Sequence, residues 1–241
     1  MDVIGVIPAR YQSSRMPGKP LVDICGKPMI WWVYQEIKKS EYLSDVIVAT
    51  DDKRIKDACD ELSMNVLMTS NKHDTPTARI AEVAQKINAD YYLTIMGDEP
   101  LVDKDCINLI MPQGIRKEYV AALSNELTNP TEVIDFSNQK VVTNNLRKTL
   151  MISRSPIPYP KGSLDFVYEK VTGVQLFSNG ALDFYKNTPK STLEIAEEND
   201  LMRFVENGID VIMIKSPYKT VSVDTPKDLE FVRREIERRN I

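Results

Sequence analysis

The sequence predicts an α/β protein: a mixed, mostly parallel sheet flanked by helices. Three observations carry that expectation. Short apolar runs rich in Val and Ile alternate with amphipathic stretches through the first half of the chain. Strand–helix alternation of this kind builds right-handed crossovers and parallel pairs. The same rhythm returns at the end, after a middle section of turn-rich text.

Taken in order, Val3–Pro8 reads as a buried strand closed by a proline, and a basic loop follows it. Met29–Lys39 reads as an amphipathic helix in which Trp31 and Trp32 serve packing. Asp45–Asp51 is a second buried strand and Asp52–Leu62 a second helix; Asn65–Thr69 is a short third strand and Ala78–Ile87 a third helix. Tyr91–Met96 is a fourth strand that breaks at Gly97-Asp-Glu-Pro100. Beyond it, strand-like pieces at Tyr119–Ser124, Lys140–Thr143 and Val171–Phe177 are separated by turns, including the proline run Ser155–Pro160, which cannot be helical. A helix near Glu197–Glu206, a strand at Ile209–Ile214 and a last helix from Pro226 to Arg239 close the chain. No repeat or linker divides it, so 1–241 is expected to be one domain, with roughly 125–190 inserted over the open edge as a lid.

Composition excludes several functional classes. The 241 residues are 42% hydrophobic and 27% charged, with a formal net charge of -4, which argues against a nucleic-acid partner. No apolar run reaches membrane-spanning length, and the first strand begins too early for a signal peptide, so a cytoplasmic location is expected. Cys25, Cys59 and Cys106 are odd in number and widely spaced, as reduced core-type residues are.

The chemistry concentrates in the loop Ile7–Leu21, which gathers Arg10, Arg15 and Lys19 among small and hydroxyl residues. Such a collar suits a polyanion, because guanidinium forks and freed backbone N–H groups match phosphate oxygens. It lacks the Walker A pattern, and a solvated surface turn is the alternative. Two acids stand at strand ends. Asp98 follows a strand and a glycine, and Asp224 lies in Val221–Leu229 before the last helix. Together they suit a magnesium–triphosphate complex; separately, Asp98 reads as a turn residue and Asp224 as a helix N-cap ahead of Pro226. Glu99 and Asp228 read as solvated, and His73, the single histidine, as structural or nucleotide-adjacent rather than a general base.

The motifs Pro8–Leu21, Gly26–Ile30, Val48–Asp51, Gly97–Pro100 and Val223–Leu229 together resemble the CMP-Kdo synthetase family, the 3-deoxy-manno-octulosonate cytidylyltransferases, over nearly the whole chain. The resemblance implies a nucleotide-diphospho-sugar transferase (Rossmann-like) fold, CTP as donor, Mg2+, a small acidic acceptor and a homodimer built by the inserted segment. Carried over by position, Arg10, Arg15 and Lys19 hold the triphosphate, and Asp98 and Asp224 hold the metal. Ala9, Thr77, Arg79, Arg154, Glu194 and Glu197 fall at substrate-binding positions. Departures from the family pattern cluster where the sugar is placed: Met96 replaces Gln, Val171 and Phe177 stand in a region that loses a His and a Tyr, and Leu201 replaces Gln. The expected activity is transfer of CMP to an acidic acceptor, a Kdo-like sugar acid, with release of pyrophosphate. The departures add the expectation of an apolar wall and of Kdo itself as a poor substrate, with a phosphonate or a phosphorylated small molecule as the alternative acceptor. A catalytically silent nucleotide-binding protein is the alternative outside the enzyme class.

Overall fold

The computed structural model describes residues 1–12, 16–162 and 165–239. Val3–Ala9 (β1) runs into the basic loop, a tight turn at Lys19–Leu21 and a small hairpin of Asp23–Ile24 (β2) and Lys27–Pro28 (β3). Met29–Ile37 (α1), Asp45–Thr50 (β4), Lys53–Glu61 (α2), Val66–Met68 (β5), Pro76–Lys86 (α3) and Tyr91–Ile95 (β6) then alternate as expected. The second half contains Asp105–Ile110 (α4), Val120–Glu126 (β7), Pro130–Ile134 (α5), Lys140–Thr143 (β8), Thr149–Ser153 (β9) and Glu169–Ser178 (β10). It ends with Asn179–Asn187 (α6), Thr192–Glu197 (α7), Met202–Glu206 (α8), Val211–Lys215 (β11) and Pro226–Arg239 (α9).

The main sheet is ordered β11-β7-β10-β6-β1-β4-β5. Parallel pairs join β1 to β4 and β6, β4 to β5, and β7 to β11. Strand β10 lies antiparallel between β6 and β7. Of the stretch read as inserted, Glu169–Ser178 is therefore an interior strand of the sheet. What stands off the main path is the β8–β9 hairpin, which pairs with the start of β10. Lys140 anchors that hairpin: its buried ammonium donates to the carbonyls of Asp135 at 2.9 Å, Asn138 at 2.7 Å and Arg154. Burial pushes the pKa of Lys140 down, and three carbonyl acceptors compensate for lost water.

One apolar core lies between the sheet and α1, α2 and α4. A second lies under α3, α6 and α8, and a third joins α9 to α1 and β2 through Trp32, Val223 and Val232. The Trp32 indole donates to the Ile24 carbonyl at 2.9 Å, so the tryptophan pair packs rather than reacts. Cys59 and Cys106 are buried, and desolvation pushes their thiols up to about 12 and about 11. Cys25 departs from the core-type expectation, being exposed. No helix among the described residues is long and apolar enough to cross a membrane.

Candidate active site

In an open parallel sheet, ligands collect at the strand ends where the chain order reverses. Here that point is between β1 and β6. Strands β4 and β5 extend the sheet on one side of β1, and β6 extends it on the other. A cavity of about 230 Å3 opens there, lined by Ala9 at the end of β1 and Arg10 just beyond it, Met96 to Asp98 after β6, and Asp224. Its far wall is Asp74 to Pro76 at the start of α3, with Arg79 one turn on.

The loop after β1 is closed at its neck. The Gly18 N–H donates to the Tyr11 carbonyl at 2.8 Å. Gly18 has φ 72, and an added Cβ would lie 3.0 Å from the Tyr11 ring, so both backbone and space require glycine. The neck delivers Lys19 to the cavity floor. Its ammonium sits 2.6 Å from Asp98 Oδ2 and 3.1 Å from Asp224 Oδ1. The two carboxylates are thus brought within reach of a single cation. Arg15 lies outside the described residues.

Groups other than the Asp224 carboxylate cap the last helix. The Thr225 hydroxyl accepts from the Asp228 N–H at 3.3 Å, and Asp228 Oδ2 accepts from the N–H groups of Asp224 and Thr225 at 3.1 and 2.8 Å. This reciprocal arrangement is a capping box. The N-cap alternative for Asp224 fails, and Asp228, expected to be solvated, closes the box. Glu99 also departs from expectation, being only 5% exposed. Burial and the neighbouring Asp98 charge push its carboxyl up to about 7.

The remaining expected residues divide. Ala9 and Arg79 line the cavity. Arg79 is buried, donating to Thr69 Oγ1 at 2.5 Å and pairing with Asp51 at 3.2 Å. Thr77, Arg154, Glu194 and Glu197 do not line it. The Thr77 N–H donates to Asp200 Oδ2 at 3.2 Å behind the α3 wall. Glu194 is buried, with Oε2 2.7 Å and Oε1 2.5 Å from the Arg203 guanidinium. Glu197 accepts from the Ser153 hydroxyl at 2.7 Å and the Arg154 N–H at 2.8 Å, fixing the hairpin to α7. His73 lines the cavity beside Asp74 while its ring is held from behind by Glu82, an arrangement compatible with both its structural and its nucleotide-adjacent reading. Its Nε2 lies 2.5 Å from Glu82 Oε2, and Lys86, Ser70 and His73 together draw the Glu82 carboxyl down to about 2 against its desolvation.

Two of the four positions behind the apolar-wall expectation fail structurally. Phe177 and Leu201 are wholly buried in the core under α6 and α8, where Phe177 packs on Phe204. Val171 packs partly buried against that same core, and Met96 alone of the four lines the cavity. Sequence position showed that polar residues were lost, but not which of them faced a ligand.

Comparison with known proteins supplies the family. The profile of the cytidylyltransferase family matches residues 4–222. The 3-deoxy-manno-octulosonate cytidylyltransferase of Koribacter versatilis is 38% identical over 244 residues, covering 100% of this chain and 92% of its own. The protein of that name from Escherichia coli is 38% identical over 231 residues, covering 95% and 93%. A solved structure of CMP:2-keto-3-deoxy-manno-octonic acid synthetase complexed with CTP superposes with a TM-score of 0.92 at 37% identity, covering 99% of this chain and 100% of that one. None of these relatives supports the phosphonate or phosphorylated-acceptor alternative, or the silent binder. The chain belongs to the cytidylyltransferase family, within its CMP-Kdo synthetase group, and is a CTP-dependent nucleotidyltransferase.

Proposed function

We propose that the protein transfers CMP from CTP to 3-deoxy-manno-octulosonate, releasing pyrophosphate, as a cytoplasmic homodimer that uses magnesium. The observation that carries the site reading is the Lys19 ammonium between Asp98 and Asp224. Two carboxylates that share one cation suit magnesium, which takes one or two carboxylates and completes its shell with phosphate oxygens and water. No group of three or more His, Cys, Asp or Glu side chains among the described residues is arranged to hold a metal without such help. When bound, the metal would neutralise phosphate charge and acidify the attacking hydroxyl.

The protein's own residues position and neutralise. An acceptor oxygen attacks the α-phosphorus in line; the new C–O–P linkage forms as the bond to the β-phosphate oxygen breaks. The hydroxyl proton passes to solvent, since His73 is engaged by Glu82. Arg10 and Lys19 face the departing pyrophosphate, with Arg79 buttressing the wall opposite. Placement and electrostatic preorganisation supply the rate.

The acceptor follows from relatives that carry the Kdo name over nearly their full length, and from the loss of the apolar-wall argument. Pyrophosphate release from CTP and magnesium should reach a kcat/KM with Kdo above about 10⁴ M⁻¹s⁻¹. No release with Kdo, alongside turnover of another sugar acid or a phosphonate, would sink this assignment. The dimer rests on exposed apolar side chains near the hairpin, with Phe136 74%, Leu146 72% and Leu150 58% exposed. Sedimentation equilibrium should return twice the chain mass, and a monomer at micromolar concentration would count against it.

A further inference from the structure

The loop that carries Asp98 is tied to β10 twice, at one residue. The Met96 N–H donates to the Gly173 carbonyl at 3.2 Å, and the Gly173 N–H donates to Glu99 Oε1 at 3.0 Å. Gly173 sits where β10 slips register against β7, between Val171 and Gln175, and one residue past the last β10–β6 partner pair, Val174 with Ile95, so its N–H meets the loop carboxylate where the ladder ends. A Cβ there would stand 2.6 Å from Glu99 Oε1, 2.9 Å from Glu99 Cδ and 2.9 Å from Met96 Cγ. Met96 is a flexible side chain and can yield. The Glu99 carboxylate is buried and cannot, so glycine is required by space rather than by backbone conformation.

Glu99 does not line the cavity. A buried carboxylate carries a desolvation cost that an apolar side chain of similar size would avoid. Its acceptor oxygen must therefore be what the position uses. Between the two tied residues lie only Gly97 and Asp98. The Asp98 carbonyl accepts from the Val223 N–H at 2.9 Å, which registers the next residue, Asp224, beside it. Both carboxylates of the site are thus set by one short loop, and that loop is set by Glu99 on Gly173.

We infer that Glu99, docked on Gly173, is a positioning residue that fixes Asp98 opposite Asp224 for the metal–nucleotide complex. The inference rests on the reading of those two carboxylates as the metal site. Glu99 acts through backbone placement, and its acceptor oxygen matters more than its charge.

The test uses Mn2+ as a spectroscopic probe, titrated with CTP and no acceptor, beside steady-state kinetics and thermal melts. Gly173→Ala and Glu99→Ala should each weaken Mn2+ binding about ten-fold and lower kcat by up to about 100-fold, as misplacement by an ångström does. Glu99→Gln keeps an acceptor oxygen for the Gly173 N–H and should stay within about two-fold of the parent. The double variant Glu99→Ala with Gly173→Ala should be no worse than the more damaged single, because both singles break one strap. Additive losses in the double variant, or unchanged Mn2+ binding in Gly173→Ala, would overturn the inference. If Gly173→Ala fails to fold, equal damage in Glu99→Gln and Glu99→Ala would overturn it, and a contrast between them would support it. Unchanged Mn2+ binding in Asp98→Asn would instead overturn the metal reading itself.

Discussion

Asp98→Asn or Asp224→Asn should lower kcat by roughly 10²–10³-fold, on the scale of losing one preorganised charge contact in an active site. Both substitutions keep the side-chain shape while replacing an anionic ligand with a neutral amide, a poor partner for a hard cation. Each carboxylate contacts the Lys19 ammonium, at 2.6 and 3.1 Å, so either change also leaves that ammonium with a weaker partner. The fold should be little affected. Capping of α9 belongs to Thr225 and Asp228, and the Val223–Asp98 bond that registers the two acids is made by backbone atoms. The check is turnover of CTP beside a thermal melt. Parental kcat in either variant, with an unchanged melt, would remove that carboxylate from the chemistry.

Glu194→Ala should destabilise the protein by about 3–5 kcal/mol, the range for breaking a buried ion pair and stranding its partner. That corresponds to a melting point lower by about 10 °C for a domain of this size. The stranded partner is Arg203, which has only 8% of its side chain exposed and stacks on the Tyr185 ring at 3.7 Å. Its guanidinium still meets the carbonyls of Tyr185 and Thr188, at 2.9 and 3.0 Å, but neither supplies the lost charge. Differential scanning calorimetry measures the loss directly. A substrate-binding Glu194, as the family position implies, would behave in the opposite way, with a raised KM and an unchanged melting point.

These two expectations mark where the sequence was informative. Apolar periodicity located β1, α1, β4, α2 and β6 closely, because each element buries one recognisable face. Helix α3 begins two residues before the expected Ala78, since Thr75 caps it and Pro76 occupies the first turn, a start signal that also reads as a break. Strand β9 and helix α6 gave no clear period, being short or amphipathic only in the company of neighbours. In the site, strand-end position suggested that Asp98 and Asp224 act together and the resemblance carried both over as the metal pair, although no local pattern encodes their proximity. Glu99 and Asp228 were misread for one reason: a charged residue in a loop or in a helix's first turn looks solvated until the backbone N–H groups it serves are known. Phe177 and Leu201 were misread in the converse way, because family position says nothing about which face of an element a side chain occupies.

The placement of β10 sets an order on assembly. Its neighbours β6 and β7 both precede it in the chain, and β10 fills the gap between them. Until Glu169–Ser178 emerges from the ribosome, the half-sheet of β5, β4, β1 and β6 presents Tyr91–Ile95 as an unpaired edge of bulky apolar residues. Such edges invite pairing with other chains, and non-local closure is slow because the loop must be ordered before the contacts reward it. Closing the sheet thus waits on two late segments: β10, which covers the β6 edge and pairs with β7, and β11, which covers the other side of β7.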